Sequence, residues 1–287
     1  MPIGNVSDTA RWVAVYRAME TERPDAIFRD PFARRLAGEH GEEIVRTIHR
    51  GRSVAWAMIV RTAVFDDLIL DAVEREKVDL VLNLAAGLDA RPWRLALPSS
   101  LHWVDVDLPG ILQYKSDTMK DERPVCRYEA IHADLTDAAA RRGLFARLGA
   151  QSMRAIVVTE GLLIYLAPEQ VGALARDLSE QPSFRWWIID LASPRLLKIM
   201  QRWWGKSAQG ANAAFRFAPA EGTEFFEQFG WRERRFLSSG EEAHRLHREM
   251  RGMWFWRLVL RLYSEKRQAE FKRMSGTVLL EREGRAG

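Results

Sequence analysis

Residues Val78 to Arg94 read V-D-L-V-L-N-L-A-A-G-L-D-A-R-P-W-R, and this stretch constrains the fold more than any other. An apolar run with β-branched residues stops at a small-residue turn, and Asp89 follows two residues after Gly87. A buried parallel strand ends this way beneath a ligand. Small residues there let the backbone approach closely, where a larger side chain would block it.

The flanking pattern agrees. The first eighty residues read as helices: Asp8–Glu22 with Ser7 or Asp8 as cap, a short helix from Asp30-Pro31 to about Gly38, another from Gly41 to His49, and a long one from Val54 to Lys77. Strands are then expected at Leu80–Leu84, Leu101–Asp105, Cys126–Ile131, Ala155–Thr159 and Trp186–Asp190. Helices between them are expected at Leu108–Met119, Ala138–Leu148 and Pro168–Glu180. Strand–helix alternation at this spacing predicts an α/β, doubly wound, mostly parallel sheet with right-handed crossovers. Later, Leu196–Trp204, Thr223–Gly230, Gly240–Met250 and Gly252–Arg273 read as helices. Arg232–Leu237 and Thr277–Arg282 read as two last strands that form an antiparallel, hairpin-like edge and bring the sheet to seven. The domain expectation is a helical cap over residues 1–77 and a ligand-binding domain over 78–287, with lid elements near 191–222 and 240–275, in one compact unit.

Composition narrows the function. The 287 residues contain one cysteine, Cys126, which excludes an intramolecular disulfide framework and a cysteine-based zinc site. The histidines show no metal-type spacing, so no metal is expected. No apolar run reaches the roughly 18 residues that span a bilayer. The N-terminus lacks a secretory signal pattern, so the expected location is cytoplasmic. The net charge of +4 reads as an Arg-rich solvated surface rather than a nucleic-acid footprint. Of the eleven tryptophans, seven fall late, from Trp186 to Trp256, and point to a deep core or an apolar pocket. The segment Met253–Tyr263 is too short and too charged to span a membrane. It reads as a buried helix or a dimer face, ahead of an interfacial membrane helix. The oligomeric expectation is monomer or homodimer.

In an open α/β sheet the ligand lies beyond the carboxyl ends of the strands. Four successive strands deliver an acid to that edge: Asp89, the pair Asp105 and Asp107, Asp134, and Glu160. Like charges brought together cost energy, so a ligand with a cationic centre and many hydroxyl and amine donors must justify them. A dinucleotide would call for the full G-x-G-x-x-G run around a pyrophosphate, and that run is absent. A phosphate-free nucleoside bearing a sulfonium, S-adenosyl-L-methionine, suits the pattern better.

Several stretches in the right order carry a resemblance: R-T-A-V-F-D-D from Arg61, N-L-A-A-G-L-D-A-R-P-W-R from Asn83, V-D-V-D-L-P from Val104, A-D-L-T-D from Ala133, and T-E-G-L-L-I-Y-L-A-P-E-Q from Thr159. With S-D-T-A, R-A-M-E and F-R-D-P-F-A nearer the start, they cover about residues 7 to 190. The chain resembles the leucine carboxyl methyltransferase family, in particular its bacterial O-methyltransferase branch. The resemblance implies a class I, Rossmann-like methyltransferase fold with S-adenosyl-L-methionine as cofactor. It implies that Arg61 pairs with the methionine carboxylate, that Gly87 lies beneath the methionyl part, and that Asp107 accepts from the ribose hydroxyls. It further implies that Asp134 and the Leu135 backbone hold the adenine and that Glu160 faces the amino group or the sulfonium. Arg17 is a weaker candidate for the carboxylate. The family's usual first turn glycine is Ala85 here, a substitution small enough for binding to survive.

Each residue also has a structural reading. Asp89 serves equally as a cap of the next helix. Asp105 is more structural than Asp107. Asp134 is a candidate N-cap for the helix that follows, and Arg61 could be a solvated charge. Tyr165 is a core aromatic or a substrate contact. Methyl transfer to oxygen requires the acceptor atom about 3 Å from the methyl carbon and in line with sulfur. A carboxylate acceptor is already ionised and needs no base, which fits the absence of a convincing His–Asp or Cys–His pair. No catalytic side chain is therefore assigned beyond proximity and orientation. The expected reaction is O-methylation of a carboxylate, or a hydroxyl, on a small aromatic or apolar acid. Arg202-Trp203-Trp204 and Phe215-Arg216-Phe217 are candidate lid contacts. The alternatives are a protein C-terminal carboxylate as acceptor, or a non-catalytic or membrane-surface protein on the same fold.

Overall fold

The computed structural model describes residues 6–47, 54–209, 214–250, 252–253, 259–260 and 262–283. Three helices come first: α1 (Val6–Thr21), α2 (Ala33–Thr47) and α3 (Ala55–Glu74). Then β1 (Leu80–Leu84), α4 (Arg91–Arg94), β2 (His102–Asp107), α5 (Pro109–Met119), β3 (Arg127–His132), α6 (Ala138–Gln151), β4 (Ala155–Thr159), α7 (Pro168–Ser179) and β5 (Phe184–Ala192) alternate. The remainder comprises α8 (Pro194–Gln209), β6 (Trp231–Ser238), α9 (Ser239–Arg245), α10 (Glu265–Lys272) and β7 (Ser275–Arg282).

The seven strands lie in the order β3-β2-β1-β4-β5-β7-β6. Neighbours from β3 through β5 are parallel, and β7 runs antiparallel to both β5 and β6. The predicted α/β, doubly wound, mostly parallel sheet is therefore the observed one. The last two strands do pair antiparallel, but β7 is inserted beside β5 and β6 forms the edge. Charged Arg232, Arg234 and Arg235 on β6 suit an edge, because they discourage further strand pairing.

Period-two alternation splits the core between the two sheet faces. Leu80, Leu82, Leu84, Val104, Val106 and Val157 face α6 and α7. Val81, Trp103, Ile156, Val158 and Ile188 face α3 through Val60, Val64, Phe65 and Leu68. The late tryptophans divide. Trp186, Trp187 and Trp231 are fully buried, and Trp187 meets Phe226 and Trp231 edge-on, with centroids 5.5 Å apart in both pairs.

Local departures from expectation have local causes. The two short helices predicted around Gly38 are present as the two stretches of α2, separated by a break at Gly38 where φ is 62°. α2 begins at Ala33 because Asp30 stays outside, accepting the Phe32 N–H at 3.1 Å and pairing with Arg17. β2 runs past Asp105 to Asp107, since Asp107 still pairs in register with His132 of β3. Gly222–Phe229 is a 3₁₀ stretch rather than an α-helix, closed by Gly230 in the left-handed region at φ 81°. Of the helix predicted over Gly252–Arg273, the described residues Met253, Val259 and Leu260 are helical, Leu262–Ser264 break the run, and α10 holds Glu265–Lys272. Trp254, Trp256 and most of the Met253–Tyr263 segment lie outside the described residues.

Candidate functional site

The sheet order reverses between β1 and β4, and a cavity of about 1750 Å³ opens beyond the carboxyl ends there. It is larger than the roughly 300–1,000 Å³ usual for small-molecule pockets. The turns after β1, β2, β3, β4 and β5 all line it, together with α1, α3, α8 and Phe215–Phe217.

The β1 turn is held open by backbone conformation. Ala85 and Gly87 both take positive φ, 54° and 52°. A side chain at Gly87 would press within 3.1 Å of Ala10 on α1, so only glycine fits under that helix. Asp107 fastens the turn from β2: one carboxylate oxygen accepts the Gly87 N–H and the other the Leu108 N–H, each at 2.7 Å. Each oxygen keeps a second acceptor direction. Burial raises the Asp107 carboxyl above the ordinary range, and the two N–H groups only partly offset it.

Asp105, two residues earlier, is fully buried and spent on structure. It accepts from Lys115 at 2.6 Å, Tyr128 at 2.9 Å, Trp103 at 2.8 Å and Asn83 at 3.0 Å. Asp105 is thus taken up by the core, as its structural reading expects. Asp89 accepts the Arg91 N–H at 2.8 Å, as a residue just before a helix does, and also takes Arg91 Nη1 at 2.7 Å and Asn83 at 3.1 Å. Both its oxygens are occupied by protein.

At the end of β4, Glu160 receives Arg61 Nε at 3.0 Å and Arg91 Nη1 at 2.9 Å. Burial opposes its ionisation, but Arg91 and Arg61 outweigh that and hold its carboxyl below the ordinary range. Arg61 also reaches Asp190 at the end of β5, at 3.2 Å, and Asp190 takes the Gly161 N–H at 2.6 Å. Arg61 is thus not a solvated charge. Its Nη2 carries no hydrogen bond among the described residues and the residue lines the cavity, so a carboxylate has a donor to meet. From here an ionic chain runs inward. Arg91 Nε meets Asp66 at 2.6 Å, Arg94 Nη1 meets Asp66 at 2.7 Å, Arg94 approaches Asp30 at 3.8 Å, and Arg17 pairs with Asp30 at 2.8 Å.

Two expectations change. Asp134 does not cap α6; Asp137 does, accepting the Ala139 and Ala140 N–H groups, because the chain turns once more after Asp134. Asp134 is exposed at the cavity, and the Thr136 N–H and hydroxyl hold its carboxyl below the ordinary range. Arg17 lines the cavity, but it is committed to Asp30 and to the Leu88 carbonyl at 2.5 Å. It braces the β1 turn, and those commitments leave less of it for a ligand carboxylate. Leu135 lines the cavity, and its carbonyl takes Arg141 Nη1 at 2.6 Å. Tyr165 lies against Phe215, with centroids 5.6 Å apart; burial raises its hydroxyl pKa despite a hydrogen bond with Thr9 and the nearby Arg61 charge. Asp190, Arg91 and Asn83 were not anticipated as parts of the site. Asp190 lies near the carboxyl end of β5, as the other acids do on their strands, a signal available in the sequence.

Residues 10–179 match the sequence pattern of the leucine carboxyl methyltransferase family, from α1 through α7. The chain belongs to that family. Among relatives, it is 35% identical over 187 residues to a candidate S-adenosyl-L-methionine-dependent methyltransferase of Streptomyces coelicolor, covering 60% of this chain and 64% of that one. The chain thus spans less than two thirds of that relative's length. It is 30% identical over 258 residues to a candidate methyltransferase of the same description from Mycobacterium avium, covering 80% and 83%. Among solved structures, a candidate methyltransferase from Thermobifida fusca superposes with a TM-score of 0.62 at 12% identity, covering 99% and 97% of the two chains. A DUF574 protein from Streptomyces avermitilis gives 0.58 at 14%, covering 94% and 96%. At that identity these two bear on fold alone. The expected cofactor, S-adenosyl-L-methionine, is the one in the relatives' names. The matched family pattern ends at α7, before the walls formed by β5, α8 and Phe215–Phe217.

Proposed function

We propose that this family member is an S-adenosyl-L-methionine-dependent O-methyltransferase acting on the carboxylate of an apolar acid. The observation that carries the reading is charge at the β1–β4 switch point. Arg17, Arg94, Arg91 and Arg61 are threaded among Asp30, Asp66, Asp89, Glu160 and Asp190, leaving one negative charge over. Asp107 adds another at the cavity wall. A ligand with one carboxylate and two cationic centres carries net +1 and offsets part of that excess, whereas a phosphate ester would add to it.

Bound there, the cofactor would supply an electrophilic methyl group on a positively charged sulfur. Arg61 would hold its carboxylate through Nη2, Gly87 would let backbone lie against its chain, Asp107 would accept from its ribose, and Asp134 and Leu135 would border the base. Glu160, fixed by two arginines, would keep its charge toward the cationic end. Acceptor chemistry follows from what lines the rest of the cavity. Tyr165, with its pKa raised by burial, is a poor base, and His244 sits 3.3 Å from Glu249. A carboxylate needs no proton removed, whereas a phenol with a pKa of about 10 would. Trp12, Ile164, Met200 and Phe215 favour an apolar acceptor body.

Titration calorimetry with S-adenosyl-L-methionine and its demethylated product tests the cofactor half. The wild type should bind both, and Arg61→Gln and Asp107→Asn should each weaken binding at least tenfold while the protein stays folded. Lack of binding by folded wild type refutes the reading and revives the non-catalytic alternative. For the acceptor half, ester formation is read by mass spectrometry against a panel of apolar acids, phenols and a peptide with a free C-terminal leucine. Methylation of the peptide or the phenols, and not of the acids, would sink the apolar-acid assignment.

A further inference from the structure

Phe215-Arg216-Phe217 crosses the cavity wall beside the Glu160–Tyr165 turn. Phe215 and Phe217 are buried, and the N–H groups of Arg216 and Phe217 both donate to the Ile164 carbonyl, at 2.7 and 3.2 Å. The Phe215 carbonyl accepts from Gln201 of α8 at 2.9 Å. The backbone of Arg216 is therefore fixed on both sides by apolar anchors, while its side chain is exposed and lines the cavity.

The other arginines on that wall are committed: Arg17 to Asp30, Arg61 to Glu160 and Asp190, Arg141 to Asp177. Lys272 is paired with Glu241 at 2.8 Å. Among the described residues, Arg216 is the cavity-lining arginine whose guanidinium makes no hydrogen bond or ion pair. A planar fork of donors on a pinned backbone, in a cavity that Tyr165, Phe215 and Phe217 also line, matches a carboxylate attached to an apolar body.

We propose that Arg216 is the specificity-determining residue that selects the acid form of the acceptor and rejects its methyl ester. The inference rests on the acid-methylating reading above. In the transfer, a carboxylate oxygen gains the methyl carbon as that carbon's bond to sulfur breaks. The bonding pair stays with sulfur, and no proton moves. The acceptor goes from anion to neutral ester and Arg216 loses its counterion, so the product leaves a site that held the substrate by charge.

The test uses 4-phenylbutanoate and octanoate with their methyl esters, titrated by calorimetry into the full chain saturated with S-adenosyl-L-homocysteine. The wild type should bind each acid at least tenfold more tightly than its ester. Arg216→Gln should bring acid and ester within twofold of each other, with ester and S-adenosyl-L-homocysteine affinities unchanged, and Arg216→Lys should keep part of the preference. Equal affinity for acid and ester in the wild type, a preference that survives Arg216→Gln, or no binding of either acid overturns the inference while leaving the cofactor reading intact. Failure of S-adenosyl-L-homocysteine to bind the wild type overturns both.

Discussion

In the proposed function Asp107 serves fold and ligand together. It closes the β1 turn through the Gly87 N–H, and burial lifts its carboxyl above the ordinary range. A carboxyl raised by folding contributes stability below its unfolded pKa and loses it as pH rises through the folded one. At neutral pH its ionised form thus costs stability, and in the proposed function it is this form that would accept from the ribose hydroxyls. Cofactor affinity should therefore fall as pH drops through a value above the ordinary aspartate pKa of about 4. In Asp107→Asn that pH dependence should disappear, as calorimetry across pH will show. Ala85 makes the opposite trade. Its φ of 54° strains a residue with a side chain, so Ala85→Gly should stabilise the protein by about 0.5–1 kcal/mol in urea unfolding and leave cofactor affinity unchanged. The acids at strand ends were legible because a strand that stops beneath a ligand leaves its last polar residue at the edge. Their partners were less legible. Arg61 and Asp190 meet across 129 residues, a juxtaposition that no local pattern encodes.

Among elements, the alternating strands and crossover helices followed from periodicity, since burial of both faces makes parallel strands nearly continuous apolar runs. Sequence reasoning did worst where tertiary packing decides. The Gly222–Phe229 segment has helical spacing of Phe225, Phe226 and Phe229, and those rings are drawn into a cluster with Phe217 that accepts a 3₁₀ stretch. The position of β7 was equally hidden, because either order of the last two strands satisfies the same alternation. Its small residue Gly276 is what lets it fit. A side chain there would lie 2.5 Å from the Phe236 ring and 2.6 Å from the Leu237 carbonyl, which is backbone and has little room to yield. Gly276→Ala should destabilise the protein by about 1–3 kcal/mol, measured as a lower urea midpoint at unchanged slope.

Across the whole molecule, the boundary expected at residue 77 is one of chain and not of core. α3 supplies Val60, Val64, Phe65 and Leu68 to a sheet face, and the ionic chain from Arg17 to Asp190 runs through Asp66 of the same helix. Arg248 adds a tie from the late chain to Glu20 of α1 at 2.8 Å, both buried. The helical cap and the sheet should therefore unfold in one transition. Arg91→Met would leave Asp66, Asp89 and Glu160 short of a partner in the interior and should cost about 3–5 kcal/mol by denaturant titration. The same chain sets the acid limit. Burial disfavours the charged forms of Glu160 and Asp89, but neighbouring arginines prevail and hold both carboxyls below the ordinary range. Their contribution is present above the unfolded carboxyl pKa of about 4 and is lost as pH falls through the lower folded values, so thermal midpoints should drop steeply only below about pH 4.

The insertion of β7 has a consequence in time. Protein synthesis delivers β6 before β7, yet β6 is hydrogen-bonded to the sheet only through β7. While residues 275–282 are still unmade, β5 presents an unpaired edge and β6 has no strand to pair with. The five strands from β3 to β5 need nothing from residues 275–282 to pair with one another, whereas the β6 end of the sheet is completed only when the last strand arrives.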